Sequence, residues 1–183
     1  MRLALLLALA PVLAACSTLN YQEPTSGPRA RVRFVTDTTD ITVVRSYGDL
    51  DCSTDEQEWM RLRKGVLLNS SPKQLGIPLW PNEPNAAKEV YVQAGKPLSV
   101  MFYGSERVGT TLHTCGVPIF FTFEEGRDYE VRYHQLSPQC DVSVSQVVGD
   151  PAGAVKKRLA EFSNRVTAQN TGCLAAFKKT RLY

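Results

Sequence analysis

Between Arg31 and Val148 the chain returns again and again to a two-residue period. Arg31-Val32-Arg33-Phe34 and Asp40-Ile41-Thr42-Val43 alternate polar with apolar, as does Glu89-Val90-Tyr91-Val92-Gln93. Leu98, Val100 and Phe102 keep the same spacing, followed by Val117, Ile119, Phe121 and Phe123. Tyr129, Val131 and Tyr133 come next, then Cys140, Val142 and Val144. Successive side chains of an extended strand point to opposite faces, so period two with β-branched and aromatic residues predicts half-buried strands. Gly65-Val66-Leu67-Leu68 is too short to assign. About eight such runs, separated by Gly, Pro, Asn and Asp, predict an all-β body: an antiparallel two-sheet β-sandwich.

The expected arrangement is immunoglobulin- or transthyretin-like. Glu124-Glu125-Gly126-Arg127-Asp128, between two alternating runs, reads as a hairpin loop. One segment departs from period two. Asp150-Pro151 suits a helix cap and first turn, and Val155, Leu159, Phe162 and Val166 then fall on one helical face. A short C-terminal helix is therefore expected there, although Gly153 weakens it. The divisions are 1–15, 16–29, 30–149 for the sandwich body, and 150–183 for the helical segment with its basic tail.

The N-terminus follows a different logic. Met1-Arg2 supplies a charge, and Leu3 to Leu13 is an apolar run interrupted only by Pro11. A bilayer-spanning helix needs roughly 20 apolar residues, so this run is too short. A charged start with an apolar middle fits an export signal. Leu13-Ala14-Ala15-Cys16 then resembles the lipobox of bacterial lipoproteins in all four positions. The resemblance implies cleavage after Ala15, a diacylglyceryl thioether on Cys16 and an acyl chain on the new amino group. Several long chains give lasting anchorage where one does not. Ser17, rather than Asp, follows the cysteine. In Gram-negative bacteria that resemblance favours the outer membrane over the inner. Residues 17–29, STLNYQEPTSGPR, offer little to pack and read as a flexible tether.

Cys52, Cys115, Cys140 and Cys173 remain. An even number in an exported chain predicts two disulfides, with three possible pairings. No CxxC occurs, which argues against a redox motif or a zinc ribbon. If 117–123, 128–134 and 140–148 form a meander, Cys115 and Cys140 begin strands running the same way, on one rim of one sheet. That predicts Cys115–Cys140 and leaves Cys52–Cys173. The chain-entropy model gives about 3.5 and about 5 kcal/mol for the two loops. Residues 88–147 also resemble a pattern in small bacterial lipoproteins. Its marks are an Ala-Gly-Lys turn (94–96), a Cys, a Phe-rich strand, a Gly turn, a Tyr-x-Val strand and a second Cys. The resemblance implies an all-β body, adds weight to the 115–140 pair and implies no activity.

Several motifs suggest chemistry and fall short of it. Asp49, Asp51, Asp55 and Glu56 cluster near Cys52, but a calcium loop from Asp49 would need Gly where Thr54 stands and Glu where Met60 stands. They read as a solvated loop. His113, Cys115 and His134 invite a copper site, yet Cys115 has a better use in a disulfide and no Met follows it as an axial ligand. Gly104 and Gly109 have P-loop spacing, but Thr110 stands where the phosphate-gripping Lys belongs, and 104–111 reads as a plain loop. No nucleophile elbow appears. No metal, cofactor or catalytic residue is therefore assigned. Trp80, in the Pro-rich loop 76–84, is a possible partner contact, although such a Trp more often caps a core. The cations of 177–183 read as a solvated tail.

Lys+Arg 21 against Asp+Glu 18 gives a net charge of +3, which supplies no field for nucleic acid. The expectation is a non-enzymatic binding or assembly module, anchored by acyl chains to the periplasmic face of the outer membrane and engaging an envelope protein. The alternative is an inhibitor or immunity protein that blocks a toxin or envelope hydrolase; a metal carrier or weak hydrolase ranks below both.

Overall fold

The computed structural model describes residues 21–64, 73–82, 86–136, 139–165, 167 and 170–180, with backbone only for 176–180. The strands are β1 (Arg29–Thr36), β2 (Thr42–Tyr47), β3 (Gln57–Leu62), β4 (Ala87–Gln93), β5 (Pro97–Val108), β6 (Thr111–Thr122), β7 (Asp128–Leu136), β8 (Gln139–Val148) and β9 (Val155–Ser163), followed by helix α1 (Thr171–Thr180). One sheet has the order β4-β1-β7-β8-β9 and the other β3-β2-β5-β6. All pairings are antiparallel except β1 with β7. The fold is a β-sandwich with a short C-terminal helix.

The alternating residues form the core. Val32, Phe34, Val90, Val92, Val100, Phe102, Val117, Ile119, Val131, Tyr133, Val142 and Val144 are all buried between the sheets. Phe102 and Tyr133 stack across the core with centroids 6.0 Å apart. A side chain on Gly104 would fall inside the Tyr133 ring, so the Gly makes room for that stack. At the start of β2 the buried members are Thr42 and Val44, while Ile41 just before it is 39% exposed. The polar residue faces in because Thr42 and Thr36 share a hydroxyl hydrogen bond of 2.6 Å. A buried hydroxyl with a partner carries little cost.

The structure differs from the sequence reading at five points, the third being a strand that reading did not assign. First, β6 and β7 lie in opposite sheets, so 123–128 is an arch over the core and not a hairpin; the Glu124 amide donates to the Tyr129 hydroxyl there. The Cys115–Cys140 disulfide forms, but it staples facing sheets and not one rim. Second, Val155–Ser163 is a strand. Helical spacing of four apolar residues was outweighed by the open edge of β8, which β9 completes with a bulge at Val144/Ser145. The helix comes later, at Thr171–Thr180, where Cys52–Cys173 ties it down. Third, β3 lacks a two-residue period, because the bulge opposite Val44/Arg45 lets Trp59, Met60 and Leu62 all turn inward.

Fourth, the loop expected from Gly104 to Thr111 is reduced to the two residues between β5 and β6. Fifth, the part of the tether from Tyr21 onward is docked. Tyr21 stacks on Trp59 of β3 at 4.0 Å, and its hydroxyl donates to the Tyr91 carbonyl of β4 at 2.5 Å. The Glu23 carboxylate accepts from the Tyr91 amide at 3.3 Å and pairs with Lys73 at 2.5 Å. An aromatic pair contributes about 0.5–1.5 kcal/mol beyond its area, and the Tyr91 hydrogen bonds and the Lys73 pair add to it in holding the segment. The possible strand 65–68, the lipobox and Cys16 lie outside the described residues.

A second, smaller apolar cluster covers the outer face of the four-stranded sheet. Tyr47, Met101, Cys52, Cys173 and Leu174 are buried together, with Tyr103 and Phe120 beside them. Helix α1 and the 52–173 disulfide therefore close that face.

Candidate functional site

The most concentrated polar chemistry lies on the outer face of the five-stranded sheet. Odd-numbered residues of β1 and even-numbered residues of β7 point there, which brings Arg33 beside Glu89 of β4 and Glu130 of β7 in register. Arg33 is fully buried. Its Nε donates to Glu89 Oε1 at 3.0 Å and Nη2 to the same oxygen at 2.8 Å. Nη1 donates to Glu130 Oε2 at 3.3 Å and to the Leu79 carbonyl at 2.9 Å, and Nη2 also reaches the Ile77 carbonyl. A guanidinium has five N–H groups, and all five find acceptors.

The burial is the work of residues 73–82, which lie across this face. Ile77 is buried, and the amides of Leu75 and Ile77 donate to Glu89 Oε2. Leu79 adopts φ 61°, a conformation that L-residues rarely take, and its carbonyl reaches Arg33 from there. The Trp80 ring lies over the Arg33 guanidinium, 5.1 Å from it to the ring centre. Trp80 is only half-buried. Its indole N–H is shielded from solvent and meets no acceptor among the described residues. The Trp thus covers a charged pair on the outer sheet face and lies outside the central core.

The charges continue across the sheet. Glu130 is also held by Lys156 of β9 at 2.8 Å and by Arg132 at 3.0 Å. Burial alone would lift its carboxyl, but the Lys156 hydrogen bond and the Arg132 charge outweigh burial and hold it below the usual range. Arg132 also bonds Asp37 at 2.6 Å, and Asp37 pairs with His134 Nδ1 at 2.5 Å. The Asp37 hydrogen bond raises the His134 pKa despite partial burial. In Asp37 itself burial works upward, and the His134 and Arg132 contacts prevail and lower it. The result is a chain of alternating charge from Glu89 through Arg33, Glu130 and Arg132 to Asp37 and His134. It holds strands together, and Glu89, Glu130 and Asp37 each have a cation.

The remaining sequence candidates do not meet. Asp49 accepts from the Ser53 amide, the Ser53 hydroxyl and the Thr54 hydroxyl, which lowers its pKa and closes its own turn. Glu56 pairs with Arg45 at 2.5 Å. Asp49 and Glu56 are thus engaged locally. Cys115 is bonded to Cys140, while His134 is tied to Asp37. Among the described residues, no group of three or more His, Cys, Asp or Glu could hold a metal ion. Two open depressions, of about 430 and 240 Å³, flank Phe162 and share Glu161, Ser163 and Arg165. Sequence reasoning missed the Arg33 site, since Arg-Val-Arg-Phe reads as an ordinary solvated face. Comparison with protein-family models, with curated proteins and with solved structures yields no match.

Proposed function

We propose that the chain is a lipid-anchored envelope protein whose β-sandwich serves as a non-enzymatic binding or assembly module at the periplasmic face of the outer membrane. The observation that carries the reading is Leu13-Ala14-Ala15-Cys16 behind a short charged-then-apolar leader. Two disulfides within one small body suit an oxidising compartment and support it. The binding half of the reading is supported by how the gathered charges are used. Arg33, Glu89, Glu130, Asp37 and His134 hold one another, and the molecule spends its polar chemistry on rigidity. Lipidation confines such a body to a membrane shell and raises its effective concentration for neighbours there.

The test is intact mass of the mature protein from the membrane fraction. Acyl mass on Cys16, with release of Cys16→Ala into the soluble fraction, is the expected result. A soluble wild type with an unmodified leader overturns the reading. Crosslinking in intact cells then identifies the envelope protein engaged.

A further inference from the structure

We propose that Tyr21 and Glu23 act as a clamp that shortens the leash between the anchor and the body, so that the β3/β4 edge faces the lipid surface and the β6/β9 edge faces away from it. This rests on the anchoring reading above and adds an orientation to it. From Cys16 to the first strand residue, Arg29, the chain has thirteen residues. Free, that length extends to about 44 Å and lets the body turn in any direction. Docking at Tyr21 leaves only five residues, or at most about 17 Å.

The clamp sits on one lateral edge of the sandwich. Tyr21 touches both sheets there, stacking on Trp59 of β3 and donating to the Tyr91 carbonyl of β4. Glu23 takes the Tyr91 amide and the Lys73 ammonium, and the Lys73 carbonyl takes the Glu89 amide. The Tyr91 amide and carbonyl and the Glu89 amide of β4 are thereby occupied, which also blunts that edge against strand addition. Arg29 lies over the Tyr91 ring at 4.3 Å and closes the turn back into β1. The clamp is thus built by side chains from four separate parts of the chain: 21–29, Trp59, Lys73 and Tyr91.

Geometry then divides the surface. β9 lies four strand spacings from β4, about 19 Å across the sheet. Its exposed residues, Val155 at 61% and Leu159 at 42%, with Lys157 between them, sit on the edge turned from the lipid. That edge is the one a protein neighbour in the periplasmic space would meet.

The test uses the full-length, lipidated protein in vesicles of phosphatidylcholine and phosphatidylglycerol carrying a headgroup-labelled acceptor lipid. A donor fluorophore is placed through a noncanonical azide side chain at position 61 of β3 or position 159 of β9. Energy transfer is expected to be stronger from 61 than from 159. The difference should vanish in Tyr21→Ala/Glu23→Ala. It should also vanish when a Gly-Ser linker is inserted between Ser17 and Thr18, a change that leaves the docked body intact. Equal transfer from both positions in floated wild type, or a difference that survives the linker, overturns the clamp while anchoring stands. Failure of the wild type to float overturns the anchoring reading, and the clamp with it.

Discussion

Replacing Arg33 tests whether the outer face of the five-stranded sheet is a structural keystone. The guanidinium is fully buried and satisfies Glu89, Glu130 and the carbonyls of Ile77 and Leu79. Arg33→Ala removes all five hydrogen bonds and strips the buried Glu89 of its cation, while Glu130 keeps Lys156 and Arg132. Breaking a buried pair by deleting one partner costs about 3–5 kcal/mol, because the other charge stays buried and uncompensated. For a domain of this size each kcal/mol lowers Tm by about 2–4 °C, so a fall of roughly 6–20 °C is expected. Arg33→Lys keeps the charge but loses the fork that serves two sides at once, and should recover only part of the loss. The assay is urea unfolding followed by intrinsic fluorescence at neutral pH, with the Arg33→Met/Glu89→Leu double variant alongside. The double variant should cost less than the sum of its singles, since partners in contact are non-additive. A loss below about 1 kcal/mol for Arg33→Ala would mean that residues 73–82 do not seal the pair, and the argument would fail.

Other outcomes follow from the same geometry. Gly104→Ala pushes a methyl into Tyr133 and should cost about 1–3 kcal/mol, with less of a penalty in a Tyr133→Leu background. Leu79→Gly relieves a left-handed φ at a residue that is 42% exposed, so stability should hold or rise, by up to about 1 kcal/mol, in thermal unfolding. Cys52→Ser/Cys173→Ser should cost about 2–5 kcal/mol and open the segment around α1 to limited proteolysis, whereas unchanged resistance would show that Leu174 alone holds the helix. His134 should titrate above its ordinary 6.5 in NMR and fall back toward it in Asp37→Asn. Its raised folded pKa stabilises the fold fully below about 6.5, and that share is lost as pH rises through the folded value. Asp37, with its pKa lowered, contributes above about 4 and loses its share on acidification.

Much of the central core was legible because burial on one face and exposure on the other imposes period two on β4 to β8. Val90 and Val92, Val117 and Ile119, and Val131 and Tyr133 are buried where the alternation places them. What periodicity does not carry is which strands share a sheet. β6 and β7 each alternate, and a five-residue Gly loop suits a hairpin as well as an arch, so their placement in opposite sheets had no local signal. The Cys115–Cys140 pair was reached through that mistaken meander. It forms anyway because β6 and β8 also face each other across the core. β9 misled for a related reason: an edge strand that packs on the core only through Ala160 and Phe162 has little alternation to display, and chance spacing of Val155, Leu159 and Phe162 fills the gap.

The candidate site was illegible for a deeper reason. A period-two run states that two faces differ, and it assigns the polar one to water only if nothing else covers it. Here both outer faces are covered. Residues 73–82 lie over Arg33 and Glu89, and α1 lies over Tyr47 and Met101. The sequence offered one hint in each case. Met101 interrupts an otherwise polar set on β5, and Trp80 sits among prolines in a segment with few other apolar residues to pack against. An isolated large side chain in a loop needs a surface, and a buried charge needs a lid; in this fold each supplies the other. Substituting Trp80 therefore bears first on the Arg33 pair, so any loss of partner capture in Trp80→Ala has to be read beside its unfolding curve. Only a loss at unchanged stability would assign Trp80 to a contact surface.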